Sequence, residues 1–298
     1  MHFINLHSLS APRVKALFGL PPILLGELLF VVLPELERRR TARLERRADR
    51  KRKLVANDGR PRAATPVHKV LMTLIYLRHN VQHEVVGALL GCSADTAENA
   101  FHEVVPVLGD LFPAEKWDAE KQWRRSEPTW TPEAVDKVIL DSFESPVRRP
   151  SLQERQKRLY SGKKKRHTLK TQLATDPDGE ILTLEAGHRG PQADLKLYEA
   201  ASLPEPLADK PRMGDKGYHS QEHPELTTPH KKPRGGELTE EQKAENKEIA
   251  RQRIVVEHAI RRIKGFRILR DDYRLALGLF PMIAAAVVGL IQFSRIVG

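Results

Sequence analysis

Thr168-Leu169-Lys170-Thr171-Gln172-Leu173-Ala174-Thr175-Asp176-Pro177-Asp178-Gly179-Glu180-Ile181-Leu182-Thr183-Leu184-Glu185 is the stretch from which the fold of the second half of the chain can be read. Residues 168–175 and 181–185 are strand-length runs rich in threonine, leucine and isoleucine. Asp176-Pro177-Asp178-Gly179 between them has the composition of a tight turn, which predicts an antiparallel hairpin. Upstream, Val138-Ile139-Leu140 is a short apolar run closed by Asp141, the pattern of a buried strand with a polar group at its end. Downstream, a weaker run leads into Gly214-Asp215-Lys216-Gly217-Tyr218, and helices are expected near residues 194–201 and 239–264. The second helix opens on Thr239-x-x-Gln242, a capping-box pattern, and is stopped by Gly265. A hairpin first and helices after predict an α/β domain with a mixed sheet, of the α+β kind, over residues 136–298.

The first half reads as helical. Residues 1–60 predict helices that end in a basic arm: from position 38 to 53 arginine and lysine dominate, beginning with Arg38, Arg39 and Arg40 and opposed within the run only by Glu45 and Asp49. Such a run is either a solvated helix face or a contact for a polyanion backbone. Asn57-Asp58-Gly59-Arg60-Pro61 is a turn or linker. Residues 61–118 predict three helices: one capped by Thr65 with Pro66 at its first position, one near residues 84–90 ending at Gly91, and one from about 95 to 108. Helix, short glycine-containing turn and helix is the helix-turn-helix pattern, and any three-helix bundle gives the same one. The third helix carries Asp95, Glu98 and Glu103 and no lysine or arginine, which suits a major groove poorly; Thr96 and Asn99 are its candidate base-reading positions. Residues 119–135 read as a linker, and Trp117, Trp123 and Trp130 near it offer either packing between domains or faces for base stacking.

Fifty lysines and arginines against 39 aspartates and glutamates leave a net charge of +11, which favours a polyanionic partner. The single cysteine, Cys92, excludes an intrachain disulfide and a cysteine-rich zinc site and fits a reducing, cytosolic compartment. The apolar stretches at 20–36 and 275–293 are interrupted by proline, glycine or glutamate and no cleavable signal pattern is visible, so a soluble chain with no membrane span is expected.

Four carboxylates stand in contexts that suit chemistry: Asp141, Asp194, Asp215 and Glu257. Arg253 lies four residues before Glu257 and Lys264 seven after, so all three share one helical face and place a carboxylate on a stripe of cations. Each has a plainer use. Asp141 could cap a turn, Asp194 could cap a helix, Asp215 could make an Asx-turn, and Glu257 could pair with Arg253 or Arg261. Taken together they point to phosphodiester chemistry on hard oxygen ligands, which select magnesium or manganese over zinc.

From Pro66 to the C-terminus the chain resembles the DDE insertion-sequence transposases, and within them the fifth insertion-sequence family, related to the Harbinger transposases. The resemblance is carried by Arg253-x3-Glu257-x6-Lys264, which fits the C-terminal part of the family's Tyr-x2-Arg-x3-Glu-x6-Lys motif, with Ala250 standing where that motif has tyrosine. Gly214-Asp215-Lys216-Gly217-Tyr218 and Tyr160-Ser161-Gly162-Lys163-Lys164-Lys165-Arg166-His167 carry it further. It implies a ribonuclease-H-like catalytic domain preceded by a helix-turn-helix domain. It also implies Asp141, Asp215 and Glu257 as catalytic metal ligands, with Asp194 either a fourth ligand or a helix cap, and two magnesium or manganese ions per site. Lys163, Lys164, Lys165, Arg166, Arg253, Arg261 and Lys264 would hold phosphates. The implied partners are double-stranded DNA, both terminal inverted repeats and target, and further copies of the chain in a homodimer or larger assembly, in the cytoplasm at the bacterial nucleoid. The implied activity is transposition. A transposase-derived DNA-binding protein without catalysis and a related endonuclease without strand transfer remain the alternatives.

Overall fold

The computed structural model describes residues 8–48, 64–112, 114, 134–201 and 203–297. All but the last two residues of the linker expected at 119–135, the three tryptophans and the end of the basic run lie outside the described residues. Two compact units emerge, one from the chain up to Leu111 with Gly265–Ile268 and the end of the last helix, the other from Phe112–Lys264 and Leu269–Gln292.

The helical unit contains α1 (Ala11–Phe18), α2 (Pro22–Ala48), α3 (Pro66–His79), α4 (His83–Leu90) and α5 (Ala94–Leu111). Thr65 caps α3 as expected, its hydroxyl accepting from His68 N while His68 Nδ1 accepts from Thr65 N. Gly91 ends α4 in the left-handed conformation, φ 67°, which a glycine adopts without steric penalty. Tyr76 stacks on His83 at 4.2 Å between ring centroids and meets Phe101 at 4.9 Å, tying α3 to α4 and α5. Helix α2 packs on α3 and α5, burying Leu24, Leu25, Leu28, Val32 and Leu36 along one face. That placement also accounts for the acidity of α5. Glu103 pairs with Lys69, and Asp110 accepts from Arg39 Nη2 at 2.6 Å, so two of its carboxylates are spent on neighbouring helices.

The second unit is built on a six-stranded mixed sheet. Its strands are β1 (Val138–Pro146), the two-residue β2 (Tyr160–Ser161), β3 (Arg166–Thr175), β4 (Ile181–Arg189), β5 (Arg212–Met213) and β6 (Leu226–Thr227). β1, β3 and β4 pair antiparallel, while β5 runs parallel to β1 and β6 parallel to β5, the arrangement of a ribonuclease-H-like domain. The predicted hairpin is β3–β4. Asp176 forms its turn, its carboxylate accepting from Asp178 N and Glu180 N, with Gly179 at φ 75°.

β1 differs from expectation. It continues through Asp141 to Pro146, with Asp141 opposite Leu173, so the aspartate sits inside a paired strand and not at its end. Helix α6 (Gln153–Leu159) precedes β2, α7 (Asp194–Ala200) follows β4, and α8 (Glu240–Lys264) packs on β1 and β3 through Ile249, Val256, Ala259 and Ile263. The capping box at the start of α8 forms on both sides, Gln242 N donating to Thr239 Oγ1 and Thr239 N to Gln242 Oε1. Helix α9 (Phe280–Val297) is long and apolar enough to cross a membrane, yet Ile283, Ala284, Val287, Val288 and Leu290 are fully buried in the fold.

Candidate active site

On β1, alternation puts Asp141 and Phe143 on the same side, and the face of α8 that carries Arg253, Glu257, Ile260 and Lys264 lies over them. Arg253 Nη2 is 3.1 Å from Asp141 Oδ2, Ser142 N donates to Asp141 Oδ1 at 2.8 Å, and the Lys264 ammonium sits 5.3 Å from the centre of the Phe143 ring. Burial pushes the Asp141 carboxyl up to about 6. Arg253 and the Ser142 amide pull it down, and Asp215 and Glu257 push it up again. Burial also lowers the Lys264 ammonium, as does Lys164, against the opposing pull of Asp141 and Glu144.

The remaining carboxylates approach from loops and helix starts. Asp215 makes the Asx-turn that its setting allowed, accepting from Gly217 N at 2.7 Å. Asp194 does not cap α7: the cap position is Ala193, without a side-chain bond. Asp194 Oδ1 instead accepts from Ser142 Oγ and, at 3.0 Å, from Lys170 Nζ. Gly217 explains how Asp194 and Asp215 come together. A Cβ there would lie 2.7 Å from Asp194 Oδ2 and 2.8 Å from Asp215 Oδ1, so only glycine leaves both carboxylates in place. Tyr218, buried beneath, feels Asp194, Asp141 and Asp215 together; its phenol is raised mainly by burial and further by these three charges. Asp141, Asp194 and the exposed Glu257 line one pocket of about 230 Å³ with Lys163, Lys164, Lys170 and Lys264.

Among the described residues no three of these carboxylates, alone or with histidine or cysteine, are close enough to cage one metal ion. The donor set nevertheless fits a hard divalent cation. It is oxygen only, and the two most enclosed carboxylates already draw cationic groups, Arg253 onto Asp141 and Lys170 onto Asp194.

The basic residues named from the sequence divide into groups. Lys163, Lys164 and Lys264 line the pocket; Lys165 and Arg261 are exposed. Arg166 pairs with Asp272. Arg253, expected to hold phosphate, is largely buried and pairs with Asp141, not with Glu257 as the alternative had it. Arg38, Arg39 and Arg40 are paired within the helical unit: Arg38 and Arg39 with Glu35, Arg39 also with Asp110, and Arg40 with Glu37. Glu35 and Glu37 immediately precede the basic run and are its counterions, at the spacing where helical side chains meet. Sequence reasoning missed Ser142 and Lys170. The signal for Lys170 is the polar series Thr168, Lys170, Gln172 at period two in a strand whose every residue from 168 to 175 is buried.

Residues 140–292 match the family of DDE superfamily endonucleases, and residues 65–114 match the helix-turn-helix of DDE superfamily endonucleases. The chain is 31% identical over 251 residues, 83% of its length and 87% of the relative's, to a protein of Microchaete diplosiphon described as a transposase for insertion sequence element IS702. It is 26% identical over 219 residues, 72% of its length and 74% of the relative's, to one of Streptomyces albus G described as a transposase for insertion sequence element IS112. No solved structure matches the chain.

Proposed function

We propose that this chain, which belongs to the DDE superfamily of endonucleases, is a transposase that binds the terminal inverted repeats of its element, cleaves phosphodiester bonds there and joins the freed 3′-hydroxyl to target DNA. The observation that carries the reading is that Asp141, Asp194 and Glu257, from three separate parts of the chain, line one lysine-lined pocket, with Asp215 beside Asp194 across Gly217 and its charge felt by Asp141. The description of its relatives supports it. The spacing Arg253-x3-Glu257-x6-Lys264 supports placement in the fifth insertion-sequence family, related to Harbinger.

Asp141, Asp215 and Glu257 are the ligands of divalent magnesium or manganese in this reading, with Asp194 as a fourth. Two such ions supply activation of the attacking oxygen and stabilisation of the leaving one. The chain's own residues prepare the site. Arg253 holds Asp141 in place, Ser142 and Lys170 hold Asp194, and Gly217 keeps the space between Asp194 and Asp215 open. Lys163, Lys164 and Lys264 supply positive charge where a scissile phosphate would lie, and act on any sequence alike. Inverted-repeat recognition falls to the helix-turn-helix, and a homodimer or larger assembly at the bacterial nucleoid would bring two DNA ends together.

The test is cleavage of duplex DNA carrying the element's ends. Magnesium or manganese should support cutting and calcium should support binding only, since it shares the oxygen ligands but has looser geometry. Asp141→Asn and Glu257→Gln should keep DNA affinity and lose roughly 100-fold or more of the cleavage rate. Cleavage undiminished in chelator, or a variant cutting at the wild-type rate, overturns the metal site.

A further inference from the structure

At the far end of β1 from Asp141 the same unit holds a second cavity, of about 540 Å³, that the cleavage site does not use. It is lined by Arg148, Arg149, Ser151 and Arg155, by Tyr273, and by the turn at 275–278; among the described residues no carboxylate lines it. Its frame is fixed by hydrogen bonds. Arg148 N donates to Tyr273 O at 3.2 Å and Tyr273 N to Pro146 O at 2.8 Å, while the Tyr273 hydroxyl donates to Ala276 O at 3.0 Å. Gln156 locks the loop that carries the arginines, donating to Pro150 O at 2.7 Å and accepting from Arg149 Nε at 3.0 Å. Arg148 and Arg155 are exposed and have no carboxylate partner among the described residues. Three guanidinium groups lining one hollow, with no counterion among the described residues, form a site for phosphate oxygens, which guanidinium binds in a bidentate fork.

Its position says which phosphates. Arg148 follows Asp141 by seven residues, five of them to the end of β1 at Pro146 and two beyond it, which at ~3.3 Å each separates the two sites by at most ~23 Å. That is the length of about seven base pairs of duplex at 3.4 Å per pair. The segments that follow are rich in exposed cations: α6 presents Arg155, Lys157 and Arg158 to solvent beside Glu154, and the β2–β3 connection presents Lys163, Lys164 and Lys165.

We propose that the Arg148–Arg149–Arg155 cavity is a backbone clamp that grips duplex DNA about seven base pairs from the bond held at Asp141, fixing the register of the cut. The proposal rests on duplex DNA being the substrate. The test measures affinity of the full chain for a mixed-sequence duplex long enough to span both sites, as a function of salt. In Arg148→Ala/Arg155→Ala the affinity should fall roughly tenfold at near-physiological salt, and the slope of log affinity against log salt should become shallower by about two. The lysine pair Arg148→Lys/Arg155→Lys keeps the charge and should restore the slope. Lys232→Ala/Lys243→Ala, the same loss of charge at exposed positions elsewhere, should leave the slope at its wild-type value. A methylphosphonate in the duplex about seven nucleotides from the cut should weaken wild-type binding and have no further effect on the alanine variant. Wild-type affinity and slope in a folded Arg148→Ala/Arg155→Ala variant overturn the clamp and leave the proposed cleavage function standing. Failure of the wild-type chain to bind duplex DNA overturns both.

Discussion

In the proposed metal site Asp141 meets two opposed demands: it would have to be ionised to take a cation, yet burial lifts its pKa to about 6. The folded value lies above the ordinary value near 3.9. Its contribution to stability is therefore fully present below about pH 4 and is lost as pH rises through 6. A shift of about two units corresponds to ~3 kcal/mol. Asp141→Asn should melt higher than wild type in chelator at pH 7.5 and lose that advantage at pH 4. Thermal melts at both values check this, and an equal offset at the two would exclude burial of the charge as the cause. Cation binding runs the other way, because protons compete for the same oxygens. Calorimetry with manganese should show wild-type affinity falling about tenfold per unit below pH 6, and a flat profile would remove Asp141 from the ligand set. Asp141, Asp215 and Glu257 could be proposed from the sequence because each stands in a distinctive local string. The partners of Asp194 were not, because a residue at a helix start reads locally as a cap, while Ser142 and Lys170 reach it only once β1 and β3 are paired.

Among elements, the β3–β4 hairpin and α8 were readable because their ends carry their own signals: an Asp-Pro-Asp-Gly turn and a reciprocal capping box. Both signals are testable. Gly179 adopts φ 75°, where a side chain is strained, so Gly179→Ala should lower stability by ~1 kcal/mol. Thr239→Ala removes the hydroxyl that accepts from Gln242 N and should cost about 1 kcal/mol. Denaturant titration measures both; an unchanged midpoint for Thr239→Ala would mean that the first turn of α8 contributes nothing to the folded state. β1 was read too short because the apolar run stops at Asp141, although Phe143, Ser145 and Val147 continue the buried alternation. β5 and β6, two residues each, hold no periodicity to detect. They exist because β1 offers an edge to Arg212 and Met213, a cause that lies in tertiary pairing.

For the whole molecule the open question is where its excess of positive charge meets DNA. Arg38, Arg39 and Arg40, which the sequence offers either as a solvated helix face or as a contact for a polyanion backbone, pair with the acidic residues just before them. Glu35 is held down at about 2, first by its hydrogen bond to Arg38 and then by Arg39. Exposed pairs of this kind contribute only about 0–1 kcal/mol each, less than a phosphate contact can return, so the arginines can change partner when a backbone arrives. Two variants with opposite signs follow. Neutralising Arg38, Arg39 and Arg40 together should weaken binding to inverted-repeat and random DNA alike and flatten the salt dependence by up to about three units. Glu35→Gln should do the reverse, releasing Arg38 and Arg39 from their counterion and raising affinity for random duplex while leaving the preference for the inverted repeat unchanged. Substitutions at Thr96 or Asn99 should alter that preference instead if α5 is the reading helix of the proposed helix-turn-helix, since it carries no lysine or arginine. Fluorescence anisotropy across a salt series separates the three effects. If the triple arginine variant and Glu35→Gln both bind as wild type does, the end of α2 is a solvated face. The DNA would then be held by the basic rim of the catalytic unit alone.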